Sequence, residues 1–167
     1  MIKKTLLSVA VAALLVSMTA CRSGMTLTRQ LEKMPTKAML VSEAEARGVT
    51  LDTMETIYPN GLQFFGDSVP NAYWQSWADF CTGLVKELGD AGMAWNEPYR
   101  LWGRVYFSPD GKVEHYFYKW TGQLIPTEEW QVQFKEVLER YLAQFQFTYP
   151  MNRRFSQCGR VRVAPNK

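Results

Sequence analysis

Histidine is almost absent from this sequence, because His115 is the only one among its 167 residues. The sequence also lacks a Gly-rich phosphate loop and a serine in a Gly-x-Ser-x-Gly turn. His, Cys, Asp and Glu residues nowhere recur at the spacings of a metal site. These absences exclude the usual sequence patterns of metal-dependent, nucleotide-dependent and serine-nucleophile catalysis. We therefore expect no metal, no cofactor and no enzymatic activity.

Two candidate catalytic groups remain, and each has a simpler structural interpretation. His115 falls in a predicted strand, where a lone histidine is more often packed or solvent-facing than a general base. Glu128 and Glu129 are adjacent, so their side chains diverge on a helix. Acids at the start of a helix are stabilised by its dipole, which gives both glutamates a sufficient role.

A large excess of charge of one sign is also lacking. The chain has 19 basic and 16 acidic side chains, and without Lys3 and Lys4 the balance is 17 to 16. This balance gives no support to nucleic-acid binding, so we expect no nucleic-acid partner. No acid follows Glu139, however, so the C-terminal end is basic. This end could meet an acidic partner or anionic lipid headgroups, or it could be a solvated face. Its cations are Arg140, Arg153, Arg154, Arg160, Arg162 and Lys167.

The first 20 residues are typical of an export signal peptide. Lys3 and Lys4 precede a mostly apolar run from Leu6 to Val16. This run is shorter than the roughly 20 residues that a membrane-spanning helix needs. The sequence therefore predicts export without a transmembrane anchor.

The residues at the predicted cleavage point, Met18-Thr19-Ala20-Cys21, resemble the bacterial lipobox. The resemblance implies that cleavage leaves Cys21 as a lipid-carrying N-terminus, and acyl chains on it would hold the protein at a membrane. It also implies that Arg22, in place of the aspartate that retains lipoproteins at the inner membrane, favours the outer membrane, facing the periplasm. The alternative is an ordinary secretory signal with an incidental cysteine.

Two further cysteines, Cys81 and Cys158, lie in the predicted mature chain. Exported bacterial proteins fold in an oxidising compartment, where disulfides form and persist. We therefore predict a disulfide between Cys81 and Cys158.

Residues 21–66 predict a lipid-anchored tether followed by a helical segment. Short helices are indicated at Ser42–Gly48 and Thr50–Ile57, and a short strand at Leu62–Phe65. We place a domain boundary here, so that residues 67–167 form the folded domain.

Residues 67–167 predict helix, strand, strand, helix and strand in that order. Ser108–Gly111 is a turn signal between the aromatic and β-branched runs Leu101–Phe107 and Lys112–Trp120. Gly159–Val163 alternates as a strand does. The expected fold is α+β, a small antiparallel sheet with two amphipathic helices on one face. The two helical stripes are Tyr73, Trp77, Phe80, Leu84 and Leu88, and Trp130, Phe134, Val137, Leu138, Tyr141, Leu142 and Phe145.

This order resembles the TonB C-terminal domain family. The residues that carry the resemblance are Gly103–Val113, the helix after Thr127, Tyr149-Pro150 and Gly159–Val163, within residues 70–164. The resemblance implies a periplasmic module that pairs with an extended segment of an outer-membrane protein. TonB also has an inner-membrane helix and a Pro-rich spacer, which this sequence lacks. Only the recognition of an envelope protein is therefore expected.

Two surfaces are candidates for binding. The last strand, Gly159–Val163, is expected at a sheet edge, where an extended peptide could add a strand through Arg160, Val161, Arg162 and Val163. The alternative is a small ligand or glycan on an aromatic hairpin face, unless helices cover that face and make it core. The aromatic residues concerned are Trp95, Tyr99, Trp102, Tyr106, Tyr116, Tyr118 and Trp120.

The lipid anchor gives the first testable prediction. Cys21→Ser should abolish incorporation of labelled palmitate and leave unprocessed or soluble protein, because the acceptor sulfur is lost. Cys81→Ser is the matched control and should keep the label. Equal labelling of the Cys21→Ser protein would show that Cys21 is not lipidated.

Overall fold

The structure is a computed structural model that describes residues 26–93 and 99–163. The predicted lipidation site, Cys21, and the aromatic residue Trp95 lie outside the described residues. The chain divides into two compact units, Met1–Pro35 and Thr36–Lys167. In the first unit, residues 26–32 form helix α1, and Lys33 N–H donates to the carbonyl oxygen of Gln30 at 3.2 Å where the helix ends. In the part of the chain that the structure describes, no helix combines the length and apolar character needed to cross a bilayer.

The second unit holds all the strands that the structure describes. Its elements are β1 (Ala38–Leu40), α2 (Val41–Ala46), α3 (Leu51–Glu55), a 3₁₀ helix (Gly61–Phe64), α4 (Asn71–Asp90), β2 (Tyr99–Phe107), β3 (Val113–Trp120), α5 (Glu128–Gln144) and β4 (Phe155–Val163). The fold is α+β, as the sequence predicts. The unit begins at Thr36, so the boundary predicted between residues 66 and 67 is wrong.

A single four-stranded sheet runs in the order β1-β3-β2-β4. Strand β2 is antiparallel to both β3 and β4, whereas β1 is parallel to β3. The sheet is therefore mixed, and the expectation of a purely antiparallel sheet is wrong. Helix α5 helps to hold β1 in place. The carboxylate of Glu139 on this helix accepts the N–H groups of Lys37 at 3.2 Å and Ala38 at 2.5 Å.

The hairpin between β2 and β3 closes through a bulged turn. Gly111 has φ of 81°, a left-handed conformation that glycine adopts without strain. A Cβ atom at this position would also lie 2.3 Å from the carbonyl oxygen of Phe147. The register shifts between Tyr106 and Phe107, and the N–H of Ser108 donates to the Lys112 carbonyl oxygen at 2.9 Å.

Helices α4 and α5 pack on one face of the sheet and form most of the core. The Phe80 ring of α4 lies 5.9 Å from Tyr116, and the Phe134 ring of α5 lies 5.5 Å from Tyr118. Helix α5 begins at the predicted cap, where the Thr127 hydroxyl accepts the Trp130 N–H at 3.3 Å.

The opposite face of the sheet is covered only in part, by α3 and the residues that follow it as far as Tyr58. Tyr58 stacks edge-on against Tyr106, with ring centroids 5.3 Å apart. The strand predicted at Leu62–Phe65 is wrong, because this stretch is the 3₁₀ helix and the Asn60 side chain accepts the Leu62 N–H. The remainder of this face, towards the end of β4, is open, and part of the candidate site lies there.

The Glu139 contact gives a stability prediction. Glu139→Gln should lower the free energy of unfolding by about 2 kcal/mol, because the two N–H groups bond to different carboxylate oxygens, and the amide replaces one of these oxygens with an NH₂ donor and removes the charge. Urea denaturation measures this loss. Glu136→Gln, at an exposed position of the same helix, is the control and should change stability by less than about 0.5 kcal/mol. Equal effects of the two substitutions would contradict the assigned role of Glu139.

Candidate functional site

Strand β4 is an edge of the sheet. It pairs with β2 over nine residues, from Tyr99 opposite Val163 to Phe107 opposite Phe155. On its outer side the described residues supply one backbone partner, at the beginning of the strand, where Ser156 N–H donates to the Pro59 carbonyl oxygen at 2.8 Å. The predicted site residues Arg160, Val161, Arg162 and Val163 therefore lie on an edge strand.

The register shows which backbone groups of β4 point outwards. Because a strand residue points its N–H and C=O to the same side, the outward N–H of Ser156 places those of Arg160 and Arg162 outwards as well. The hydrogen bonding of β2 is consistent with this assignment. Arg100, which lies opposite Arg162, points its carbonyl oxygen away from β4 and accepts the Thr121 N–H at 2.9 Å. Val161 instead points its N–H and C=O towards β2. Among the described residues, the outward backbone groups of Arg160 and Arg162 have no hydrogen-bond partner.

A groove runs between α4 and this free edge. It has a volume of about 330 Å³, and its walls come from α4 and the end of β4. Val161 faces the groove and is 6% exposed. Burial raises the pKa of the Cys81 thiol to about 11, so at neutral pH Cys81 is an uncharged part of the wall. The lining residues are Cys81, Thr82, Val85, Arg160, Val161 and Arg162.

The side chains of Arg160 and Arg162 lie on the other face of the sheet, the one that α4 and α5 leave open. Directly opposite residues share a face, and Arg162 pairs with Arg100 while Arg160 pairs with Trp102. Trp102 also pairs with Lys119 of β3, whose ammonium group lies 5.4 Å from the centre of the indole ring. We call these five residues the cationic face, and Arg100, Arg160 and Arg162 also border a concavity of about 380 Å³.

The cationic face has no neutralising acid in the described part of the chain. Its four cations form no ion pair there, whereas the neighbouring Arg104 pairs with Glu55 at 3.5 Å and Arg154 with Glu114 at 2.9 Å. Arg100 and Lys119 are not among the site residues predicted from the sequence. The sequence signal for them is the alternation of charged and aromatic residues in β2 and β3. The strand register is needed to show that these charged residues share one face with Arg160 and Arg162.

The predicted disulfide between Cys81 and Cys158 is wrong, because both cysteines are free. A Cβ atom at Gly159 would lie 2.6 Å from Trp77 of α4, so position 159 faces the helices and Cys158 faces away from them. Cys81 lies on α4 itself. The sheet separates the two thiols, and a disulfide needs Cβ atoms about 4 Å apart.

Most of the aromatic hairpin residues predicted as an alternative ligand platform are core, and Trp102 is partly exposed on the cationic face. Tyr116 and Tyr118 are 1% and 3% exposed, and Trp120 packs on Phe134 of α5 with ring centroids 5.1 Å apart. On the opposite face Tyr106 is buried beneath Tyr58. This arrangement does not support a glycan platform.

His115 lies on β3 beside Tyr58, with ring centroids 6.3 Å apart. Burial lowers its pKa to about 4, Lys37 and Arg154 act in the same direction, and Glu114 opposes them. Its Nδ1 has no partner among the described residues. His115 is therefore an uncharged packed residue at neutral pH, and within residues 26–93 and 99–163 no group of three or more His, Cys, Asp and Glu side chains could hold a metal ion.

Comparison with known proteins adds no relative. No protein-family model, no curated protein and no solved structure matches the chain. The interpretation of the site therefore rests on its own geometry.

The lowered pKa of His115 gives a pH prediction. Unfolding returns the imidazole to its ordinary pKa near 6.5, so the unfolded chain binds the additional proton between about pH 6.5 and 4, and stability is lost as the pH falls. His115→Gln should make the loss of stability between pH 7 and pH 4.5 smaller by about 1–2 kcal/mol. This value allows for the partial solvent access of the side chain. Urea denaturation at pH 7 and pH 4.5 measures the difference. Parallel pH dependences of the two proteins would contradict a pKa near 4, because the chain has no other histidine.

Proposed function

We propose that this protein is a lipid-anchored, periplasm-facing binding module, which captures an extended acidic segment of an envelope protein as a fifth strand on β4. The observation that carries the proposal is the outer edge of β4, where Arg160 and Arg162 have outward backbone groups without partners in the described structure. An added strand would satisfy these groups in the way that β-augmentation does.

The two sides of β4 define what the captured segment should look like. On one side it would meet the apolar wall of Val161, Cys81 and Val85. On the other it would meet the unneutralised cations Arg160 and Arg162. Successive strand residues point to opposite faces, so a segment that alternates acidic and apolar residues fits both sides.

The expectations from the sequence point in the same direction. The lipobox resemblance at Cys21 would hold the module at a membrane, and the resemblance to the TonB C-terminal domain family over residues 70–164 implies recognition of an extended segment of an envelope protein. These two resemblances support the proposed location and class of partner, and the free edge of β4 supports the proposed mode of binding.

Proline substitution tests the backbone component of this binding. Arg160→Pro removes an outward N–H, whereas Arg160→Ala removes the same side chain and keeps that N–H. The proline variant should bind an alternating Glu-Val peptide about five- to tenfold more weakly than the alanine variant, the value of one hydrogen bond. Fluorescence anisotropy with the full chain measures the difference, and thermal melts establish that both variants fold. Val161→Pro is unsuitable because the Val161 N–H points towards β2 and its loss would disrupt the sheet.

Two peptide controls and one charge reversal complete the test. A peptide with the same Glu and Val residues in two blocks should bind weakly, because it cannot present one kind of residue to each side. Arg160→Glu with Arg162→Glu should abolish binding of the alternating peptide and reduce recovery of crosslinked partners from cell envelopes. Equal affinity of the proline and alanine variants, or of the two peptides, would show that β4 does not capture a strand.

A further inference from the structure

The cationic face continues into a loop that exposes two aliphatic side chains. Residues 121–126 join β3 to α5, and Leu124 and Ile125 in this loop are 42% and 55% exposed. The loop borders the cationic face, because a Cβ atom at Gly122 would lie 3.7 Å from the Cβ of Arg100. Unneutralised cations and exposed aliphatic groups therefore meet at one end of the sheet.

Hydrogen bonds hold this loop at both of its ends. The Thr121 N–H donates to the Arg100 carbonyl oxygen at 2.9 Å, which ties the loop to β2. At the other end the Gln131 side chain donates to the Pro126 carbonyl oxygen at 2.8 Å, which ties it to α5. The loop that exposes Leu124 and Ile125 is thus fixed at both ends. The fold does not bury these two side chains, and an external apolar surface could do so.

We propose that the cationic face and the Leu124-Ile125 loop dock on the surface of an anionic lipid bilayer. The aliphatic pair would enter the boundary between headgroups and acyl chains, and Arg100, Lys119, Arg160 and Arg162 would contact lipid phosphates. Trp102, partly exposed between the cations, suits the same depth, because tryptophan is enriched at the membrane interface. Interfacial binding draws on apolar burial and on attraction to anionic headgroups, and this surface offers both.

A soluble polyanion would account for the cations alone. It gives the exposed Leu124 and Ile125 no hydrophobic environment, whereas the bilayer interface provides one beside a layer of phosphates. Bilayer docking shares Arg160 and Arg162 with strand capture, but it can be tested separately, because Arg100, Lys119, Leu124 and Ile125 are not part of the groove between α4 and β4.

Lysine footprinting of the full chain locates the contact whatever the N-terminal residues do. The protein is treated with an amine-reactive acylating reagent, with and without vesicles of phosphatidylglycerol and phosphatidylethanolamine, and labelling is read by mass spectrometry. Labelling of Lys119 should fall about five- to tenfold on these vesicles, because several basic groups act together at an anionic surface. Lys86, on α4 with a side chain 74% exposed, should keep its labelling. Vesicles of phosphatidylcholine alone should protect Lys119 far less.

Matched variants separate the two components of the surface. Leu124→Ser with Ile125→Ser, and separately Arg100→Gln, should restore labelling of Lys119 on anionic vesicles. Trp74→Ser removes an apolar side chain of the same 42% exposure from the start of α4, and Arg140→Gln removes an exposed cation from α5. Both control variants should keep Lys119 protected. Unchanged labelling of wild-type Lys119 on anionic vesicles would overturn the proposal, as would equal protection by soluble polyglutamate that does not depend on Leu124 and Ile125.

Discussion

The register between β2 and β4 is the constraint on which the rest of the molecule depends. Trp102 opposite Arg160 fixes, for every residue of β4, both the face that its side chain occupies and the side that its backbone groups point to. A shift of one residue would exchange the two faces and place arginines against α4. Gly159 helps to hold this register, because a Cβ atom there would lie 2.6 Å from Trp77. The groove and the cationic face are thus two consequences of one pairing.

Elements with strong local signals could be predicted from the sequence. The Pro-Asp-Gly turn marked the hairpin, and the spacing of apolar residues together with Thr127 marked α5, because short-range chemistry determines these elements. Strand β1 could not be predicted. It has three residues, its pairing of Ala38 with Tyr116 is non-local, and Glu139 of a distant helix holds it. The disulfide prediction failed for a related reason, since sequence separation says nothing about which face of a sheet a cysteine occupies.

The position of the cations can be read from the sequence, but which of them lack an acidic partner depends on the fold. The sequence places several cations after Glu139, but the fold gives them different environments. Arg154 pairs with Glu114, and Arg153 lies over the Phe64 ring at 4.7 Å. Arg160 and Arg162 remain without acids in the described structure and are joined by Arg100 and Lys119 from the hairpin. A nearly neutral chain therefore carries a local positive surface, which the composition alone does not indicate.

Strand capture and bilayer docking would share Arg160 and Arg162, so each would influence the other. An acidic segment added to β4 would neutralise these two cations and leave Arg100 and Lys119 to attract anionic lipid. Bilayer docking would in turn engage the arginine side chains with phosphates while leaving their outward backbone groups free. By linkage, the free-energy penalty that one ligand imposes on the other is reciprocal. An acidic partner would therefore weaken docking of the module on the bilayer. With the predicted lipid on Cys21, the folded domain would then leave the bilayer surface while the chain stayed attached to the membrane.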